Sequence, residues 1–508
     1  MSNTYDVIVA GAGPIGLFVA CELGLAGVSV LVLERDPELE SPWKAFPLGV
    51  RGLNTVAVEA FYRRGMLGEV TQLKDRHHTL FKTEKFQFGG HFAGILLNAN
   101  KLDLDRWKYR LSGPSLTPSG SSMAVVEETL TKRAETLSSV TILRGKRVTN
   151  VSQSDSDVTV ETEDGTFHAN WLVGCDGGRS TVRKAAGFEF VGSEPEFTGY
   201  IVQADLDKPD VLQRGFNVVQ GGMYITLMAG TFYLMDFDGA MFDRTKEITI
   251  EHIQEVFTRV TGTDAKITKL NLASSFTDRC NQATTYRKGR IVLAGDAAHI
   301  HSPLGAQGLN LGIGDAMNLG WKLAATVKAS KSNEGPVDFS LLDSYEKERH
   351  PVGANVLEWS RAQVMTLKPD PYGKALRKIM VALLDTVDGT NFGMDRIWGL
   401  SLRYDLGDEH PLVGCSAPDF EFDDDSRLGA KLEGGHGILV DFGKNADLKD
   451  LAKKYETKVD YIDVGAKDQR DLHSLLIRPD GFVAWVGEEK PDIDAAKAAL
   501  ERWFGPAP

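Results

Sequence analysis

The sequence predicts an α/β protein, α+β overall, in which a doubly wound parallel sheet opens the chain, a β-sheet domain is inserted into it, and a smaller β/α unit closes it. Three observations carry this reading. A short, almost continuous apolar run, Tyr5 to Ala10, is followed by a glycine turn, a helical stretch and a second β-branched run; strands buried on both faces read this way. The stretch from about Glu194 to Ser275 reads mainly as strands, and from about Gly437 the pattern becomes β, α, β, β, α.

Taken in order, Gly11 to Gly16 makes the first turn, Leu17 to Ala26 keeps helical apolar spacing, and Gly27 ends that helix before Val28 to Leu33. Asp75 to Ser121 is irregular and rich in Phe, Gly and Asn. A helix follows at Val125 to Leu137, then strands around Val140 to Val160 and Trp171 to Gly174. Within the strand-rich middle lie Gly222 to Phe237 and one helix near Thr249 to Thr261. Gly289 to Ala325 returns to strand, turn and long helix, and helices continue to about Leu402. The amphipathic part, Pro351 to Leu402, is expected to pack internally. The acidic stretch Glu421 to Asp425 reads as a solvated linker.

The chain has 508 residues, enough for about three domains. Its 57 basic and 70 acidic side chains leave a net charge of −13, which argues against a nucleic-acid-binding role, because phosphate neutralisation needs clustered Lys and Arg. Four scattered cysteines, without a CxxC, exclude a zinc ribbon or thioredoxin-type redox pair and suit a reducing compartment. The N-terminus lacks a basic region and no apolar run is long enough to span a membrane. A cytoplasmic protein without a metal is expected.

Gly11-x-Gly13-x-x-Gly16 stands between a strand and a helix, where glycines allow a tight turn and close approach of a pyrophosphate to the helix N-terminus. Glu34 closes the second strand at the distance where an acid accepts from ribose hydroxyls. The fingerprint alone leaves FAD and NAD open, and Arg35 either stacks on an adenine or forms a surface pair. A second glycine-rich loop decides between them. Arg290 to Asp296 ends a buried strand with an acid suited to a polyol chain such as ribitol. Gly305, Gly308 and Gly312 permit close backbone approach, and a helix beginning near Gln307 aims N–H groups at the negative charge of a reduced flavin.

With GAGPIG at the start, CDGGRSTVR (Cys175 to Arg183), the loop Gly295 to Pro303, QGLN, DAMNLGWKLA, YEKERHP (Tyr345 to Pro351) and a final LLIRPDGFVAW, the chain resembles the class A flavin-dependent monooxygenases of the phenol 2-monooxygenase and para-hydroxybenzoate hydroxylase family. The resemblance implies a Rossmann-like FAD-binding domain (residues 1–85, 122–192 and 280–345) and an inserted β-sheet substrate domain (86–121 and 193–279). It further implies a helical segment (346–404) and a thioredoxin-like C-terminal domain (405–508), structural because it lacks a cysteine pair.

It also implies tightly but non-covalently bound FAD, held by Gly11, Gly13, Pro14, Ile15, Gly16, Glu34, Arg35, Val148, Asp176, Asp296, Pro303, Gly305, Gly308, Leu309 and Asn310. Two positions depart from the family. Where an Arg usually meets the pyrophosphate, the stretch is KAFPLGVRGLN, so Lys44 or Arg51 takes that role; where a Gln is common stands Met123, which leaves a backbone contact. Ala306 also replaces a common glycine.

NADPH or NADH would reduce the flavin transiently, and O₂ would give a flavin C4a-hydroperoxide that hydroxylates a small phenolic or other electron-rich aromatic substrate. Baeyer–Villiger or epoxidising oxygenation and flavin-dependent reduction are alternatives on the same fold. His91, Tyr224 and Tyr233 are the candidates to hydrogen-bond a phenolic oxygen, each weighed against a plain packing role. His299 and His301 are expected to orient the loop. Arg179 and Arg183 are candidates for the nicotinamide cofactor's phosphate, with structural pairing as the alternative. A monomer and a homodimer both fit the sequence.

Overall fold

A computed structural model describes residues 4–72, 82–332 and 338–507. The first part of the irregular stretch, residues 75–81, lies outside the described residues.

The first strand, Thr4–Ala10, has Val7 to Ala10 fully buried, and it sits inside a parallel sheet with Val30–Leu33 on one side and Gly165–Gly174 on the other. The order runs 287–288, 291–293, 165–174, 4–10, 30–33, 140–143, with an antiparallel hairpin, 148–153 and 158–162, paired to the long strand 165–174. Helices Pro14–Leu25 and Gly308–Ser332 pack on each other over this sheet, so both glycine-rich loops end at neighbouring helix starts. The order is that of a doubly wound sheet, whose ligands bind where strand carboxyl ends meet helix amino ends.

The second sheet runs 215–219, 222–228, 231–236, 198–206, 267–277 and is antiparallel throughout. Gly222 to Phe237 is a hairpin that folds at Ala229 and Gly230, the glycine taking φ +74°. Helix Ile250–Thr261 covers one face of this sheet, burying Tyr200, Val202, Tyr224, Phe232 and Leu234. Its other face is turned to the first sheet.

The C-terminal unit has the strand order 459–462, 437–441, 474–477, 483–487, the first pair parallel and the others antiparallel, with helices Ala446–Lys453 and Ile493–Phe504. This is a thioredoxin-like arrangement with a single cysteine, the free Cys415. The acidic stretch before it is not a linker. Phe420 and Phe422 are fully buried in the unit's core, while Glu421 pairs outward with Arg427 at 2.5 Å and with Lys467. Alternation of aromatic and acidic residues here is that of an extended edge with one face buried.

Helix Ser340–Met365 joins the parts. The YEKERHP stretch lies on it, and nearly every polar member has a buried task. Tyr345 donates to the Leu293 carbonyl at 2.9 Å, and Glu346 accepts from the Tyr286 N–H at 2.8 Å. Glu348 takes a bidentate pair from Arg478 of the C-terminal unit, both at 2.9 Å, together with Lys322 Nζ at 2.9 Å and Asn318 Nδ2 at 2.6 Å. Asp480 completes Arg478's partners at 2.6 Å, and the guanidinium lies 4.5 Å from the Trp503 ring. Burial pushes the Glu348 carboxyl up, but the Arg478 and Lys322 charges overcome it and bring it down to about 2; burial pushes Lys322 down to about 7.

A buried ion cluster is costly to break from one side, since the remaining charges stay desolvated and unpaired. Glu348→Gln is therefore expected to destabilise the protein by about 3–5 kcal/mol, read as a lower urea midpoint for the unfolding of the FAD-binding and C-terminal units together.

Candidate active site

The glycine turn is shaped by close approach. Gly11 has φ +104°, and a Cβ on Gly16 would stand 1.9 Å from the Gly11 carbonyl oxygen, so neither position accepts a side chain. A Cβ on Gly13, by contrast, would meet nothing within 4 Å, because that residue faces open space at the start of helix Pro14–Leu25. Glu34 accepts from the Ala12 N–H at 2.6 Å and the Asp36 N–H at 2.9 Å, which ties the acid to the loop's backbone.

The second loop is pinned from beneath. Asp315, fully buried, accepts from His299 Nε2 at 2.6 Å, from Arg349 Nε at 2.8 Å and from the Gly295 N–H at 3.1 Å. Arg349 continues to the Leu311 carbonyl at 2.8 Å and Tyr404 Oη at 3.1 Å. Burial pushes the Asp315 carboxyl up, and the His299 and Arg349 charges outweigh it and hold it below its usual range. Above this base Asp296 is exposed into the cleft, and no donor among the described residues reaches its carboxylate.

One cavity of about 540 Å³ runs from these loops to the antiparallel sheet. Gly13, Pro14, Ile15, Asp296, Gly308 and Leu309 form its loop end, and Ile201, Phe216, Ile225, Tyr233, Met235 and Phe276 its sheet wall. Arg51 and His91 also line it, His91 with its ring 4.1 Å from that of Phe216. Two helix starts, a cradle with room at Gly13 and an unpartnered carboxylate at Asp296 fit a dinucleotide with a polyol chain.

Comparison with known proteins agrees with this geometry. Residues 4–360 match the FAD binding domain family, and residues 410–507 match the family of aromatic-ring hydroxylase C-terminal domains. The chain belongs to the FAD-dependent aromatic-ring monooxygenases. It is 51% identical to a monooxygenase of Claviceps purpurea, covering 99% of this chain and 98% of that one. It is 36% identical to the 12-dehydrotetracycline 5-monooxygenase/anhydrotetracycline 6-monooxygenase of Streptomyces rimosus, covering 99% of each. The solved structure of OxyS anhydrotetracycline hydroxylase from Streptomyces rimosus superposes with a TM-score of 0.84 at 33% identity, over 99% of this chain and 100% of that one.

Within this monooxygenase, several residues expected at the flavin lie elsewhere or are already occupied. Lys44 is spent on Glu127, at 2.6 Å, so its charge is not free for a pyrophosphate. Asp176 caps the helix Thr181–Ala185, accepting from Ser180 Oγ at 2.5 Å and the Thr181 N–H at 2.6 Å. Asn310 donates to the Gly52 carbonyl at 2.9 Å and accepts from the Asn54 N–H at 2.8 Å, so its side chain holds two loops together. Met123 does line the cavity, but its N–H is taken by the Gly49 carbonyl at 2.9 Å.

Val148 opens the strand Val148–Gln153 and packs on the sheet's core, outside the cavity. Arg35 pairs with Asp36 at 3.5 Å on the surface. Pro303 lines the cavity, while Gly305, in the same turn, faces the Gln363 amide. Arg183 is buried and donates to the Ala297 and Gly178 carbonyls, both at 2.9 Å, so it is structural; Arg179 is exposed.

Of the three candidates for the substrate, His91 and Tyr233 line the cavity and Tyr224 does not. In the hairpin Ile225 stands opposite Tyr233, and Tyr224 opposite Leu234. The two tyrosines therefore project from opposite faces, and Tyr224 is buried under helix Ile250–Thr261. The apolar wall, Ile201, Ile225 and Met235, was not anticipated. Its signal is the same alternation, readable once the turn is set at Ala229 and Gly230.

Burial pushes the Tyr233 hydroxyl up, so it remains a donor, and it pushes His91 down to about 4. His91 Nδ1 accepts from the Gly94 N–H at 3.2 Å, which leaves Nε2–H to donate. Arg51 donates to the Leu48 carbonyl at 3.1 Å and the Val50 carbonyl at 2.7 Å, yet no carboxylate among the described residues pairs with it. This cation, without a paired carboxylate, faces the chamber beside its apolar sheet wall.

Because His91 stays neutral when folded but charges when unfolded, its contribution to stability is present above about pH 6.5 and is lost as pH falls toward about 4. Urea midpoints measured from pH 7 to pH 4.5 are expected to fall more steeply for the wild type than for His91→Gln.

Proposed function

We propose that this protein hydroxylates a phenolic, fused-ring aromatic substrate beside bound FAD, with NADPH as electron donor and O₂ as co-substrate. The carrying observation is that an unpaired Arg51 and the donors Tyr233 and His91 share one cavity with the Asp296 loop. FAD bound there supplies hydride acceptance and oxygen activation. Gly11, Gly13 and Gly16 would admit its pyrophosphate, Asp296 its ribitol hydroxyls, and the helix start at Gly308 the electron-rich edge of its ring.

The chain's own groups prepare the substrate. Arg51 and the Tyr233 hydroxyl stabilise a phenolate oxygen, and an ionised phenol is the more electron-rich ring. His91 Nε2–H orients that oxygen. The apolar sheet wall excludes water, which protects a reactive oxygen donor from being spent without product. The relatives named for anhydrotetracycline support a polycyclic phenol as substrate class.

For the electron donor, an arginine cluster stands out on an acidic protein. Burial lowers the Arg244 pKa and the nearby Arg179 and Arg279 charges lower it further, with Arg279 also paired to Glu194 at 2.8 Å. Such a cluster suits the extra phosphate of NADPH. A cytoplasmic setting belongs to this reading, and four free thiols are compatible with it.

Two experiments test this reading. FAD-loaded protein in air, given NADPH and a panel of polycyclic phenols, is expected to consume NADPH faster with one of them and to return a product one oxygen heavier. Arg51→Met is expected to lower that stimulated rate about 10–100-fold with FAD content unchanged; loss of FAD instead would assign Arg51 to the cofactor. In Arg179→Ala/Arg279→Ala, KM for NADPH is expected to rise about tenfold, with KM for NADH unaltered. An equal rise for both would remove the phosphate from the explanation.

A further inference from the structure

Hydroxylation balances as substrate, NADPH, O₂ and one proton giving hydroxylated product, NADP⁺ and water. A hydride carries two electrons and one proton, so each turnover draws one further proton from solvent, and a side chain of the cavity that can hold it gives it a place to enter. The titratable side chains lining the cavity are Arg51, His91, Cys175, Tyr233, Asp296 and His301. Arg51 keeps its charge. Burial pushes the Tyr233 hydroxyl up and the Cys175 thiol well up, so both keep their protons. His91 spends its lone pair on the Gly94 N–H. Asp296 answers the ribitol hydroxyls. His301 remains.

The tautomer of His301 is set by its neighbour. Nδ1 lies 2.8 Å from the Ser302 carbonyl, and a carbonyl only accepts, so Nδ1 carries the hydrogen. In the neutral ring Nε2 then carries a bare lone pair. That atom is buried and has no hydrogen-bond partner among the described residues. A buried acceptor left open is costly, and such groups collect where a ligand or a proton completes them. Its place is the start of helix Gly308–Ser332, where a Cβ on Gly308 would stand 3.5 Å from His301 Nε2 and 3.8 Å from Asp296 Oδ1.

The groups around this ring respond to charge. Burial lowers the His301 pKa most; the Ser302 carbonyl and the Asp296 charge raise it, and His299 lowers it. Asp315, on the helix, is already held by His299 and Arg349. The strand Cys280–Ala283, paired with His299 and Ile300, brings the Cys280 thiol, which burial pushes up, and helix Ser340–Met365 brings the uncharged Ser360. With oxidised FAD the ring is therefore neutral. Reduction adds negative charge at the same helix start, and a new opposite charge nearby favours the imidazolium.

We propose that His301 Nε2 takes up the second proton of flavin reduction: the hydride goes to FAD, a solvent proton forms the Nε2–H bond, and the imidazolium is balanced by Asp296 and the reduced ring until O₂ is consumed. His301 thus does more than hold its loop. The inference rests on the placement of FAD at the Asp296 loop.

The test is the midpoint potential of bound FAD, measured electrochemically without O₂ from about pH 6 to pH 8. For a two-electron couple a tenfold change in proton activity moves the potential by about 30 mV for each proton taken up. The wild type is expected to fall by about 60 mV per pH unit, the mark of two protons. His301→Gln puts an amide that takes no proton in the place of Nε2, and His301→Asn keeps a donor to the Ser302 carbonyl. Both, loaded with FAD, are expected to fall by only about 30 mV per pH unit. A one-proton slope in the wild type overturns the proposal, as does a two-proton slope in either variant. Asp296→Ala is expected to weaken FAD binding about tenfold or more; unchanged affinity would overturn the placement of FAD and this proposal with it, whereas weakened affinity beside a two-proton slope in His301→Gln would remove His301 alone. Neither NADPH nor an aromatic substrate enters the measurement, so a failed hydroxylation assay leaves its outcome standing.

Discussion

Two adjacent side chains on one helix, Glu348 and Arg349, bear on nearly everything else in the molecule. Glu348 draws Arg478 and Lys322 into a buried cluster that fastens the C-terminal unit. Arg349 holds Asp315, which in turn holds Gly295 and His299 and so the loop that carries Asp296. Neighbours in a helix point about 100° apart, so one short stretch can brace two different walls. The Glu348 cluster is satisfied on all sides, the condition under which buried charge gives a unique arrangement rather than a defect, whereas in the Arg349 assembly His299 Nδ1 has no hydrogen-bond partner among the described residues. The C-terminal unit thereby becomes a clamp on the cofactor loop without itself touching the cavity.

The second organising constraint is the period-two alternation of the antiparallel sheet. One set of residues, with Tyr224 and Leu234, goes to the core under a helix, and the other, with Ile225 and Tyr233, becomes the cavity wall. Stability and substrate contact are thus written on the same strands, one residue out of step. Polar groups enter the wall sparingly, and an apolar chamber increases the effect of each.

The parallel sheet, both glycine loops and the C-terminal β, α, β, β, α order were legible because each rests on local rules: apolar runs, turn glycines and helical spacing. Asp296, Gly13 and Gly308 were legible for the same reason. The failures share a cause in long-range contact. Tyr224 and Tyr233 look alike until the hairpin's turn is set, and a shift of one residue exchanges faces. Lys44, Asp176 and Asn310 lie within or beside cofactor motifs, yet their partners Glu127, Thr181 and Asn54 make them supports for the loops. The acidic stretch hid Phe422, and the role of YEKERHP depends on Arg478, 130 residues away. The amphipathic helices do pack internally on one side, but helix Pro371–Asp385 turns its better apolar face outward, which composition alone does not distinguish.

The bracing by Glu348 has a consequence for how this architecture can diversify. The C-terminal unit resembles a portable module, with its own sheet and its own aromatic core, and modules of that kind are ordinarily exchanged between lineages. Here its central arginine finishes a charge arrangement begun on the other four-fifths of the chain. A transplanted unit would arrive with a buried guanidinium whose counter-ions must already be waiting. Recombination is therefore confined to donors that share the ion lattice, while the sheet wall of the cavity, free of such obligations, can vary. Substrate range can drift quickly on a body that must be inherited whole.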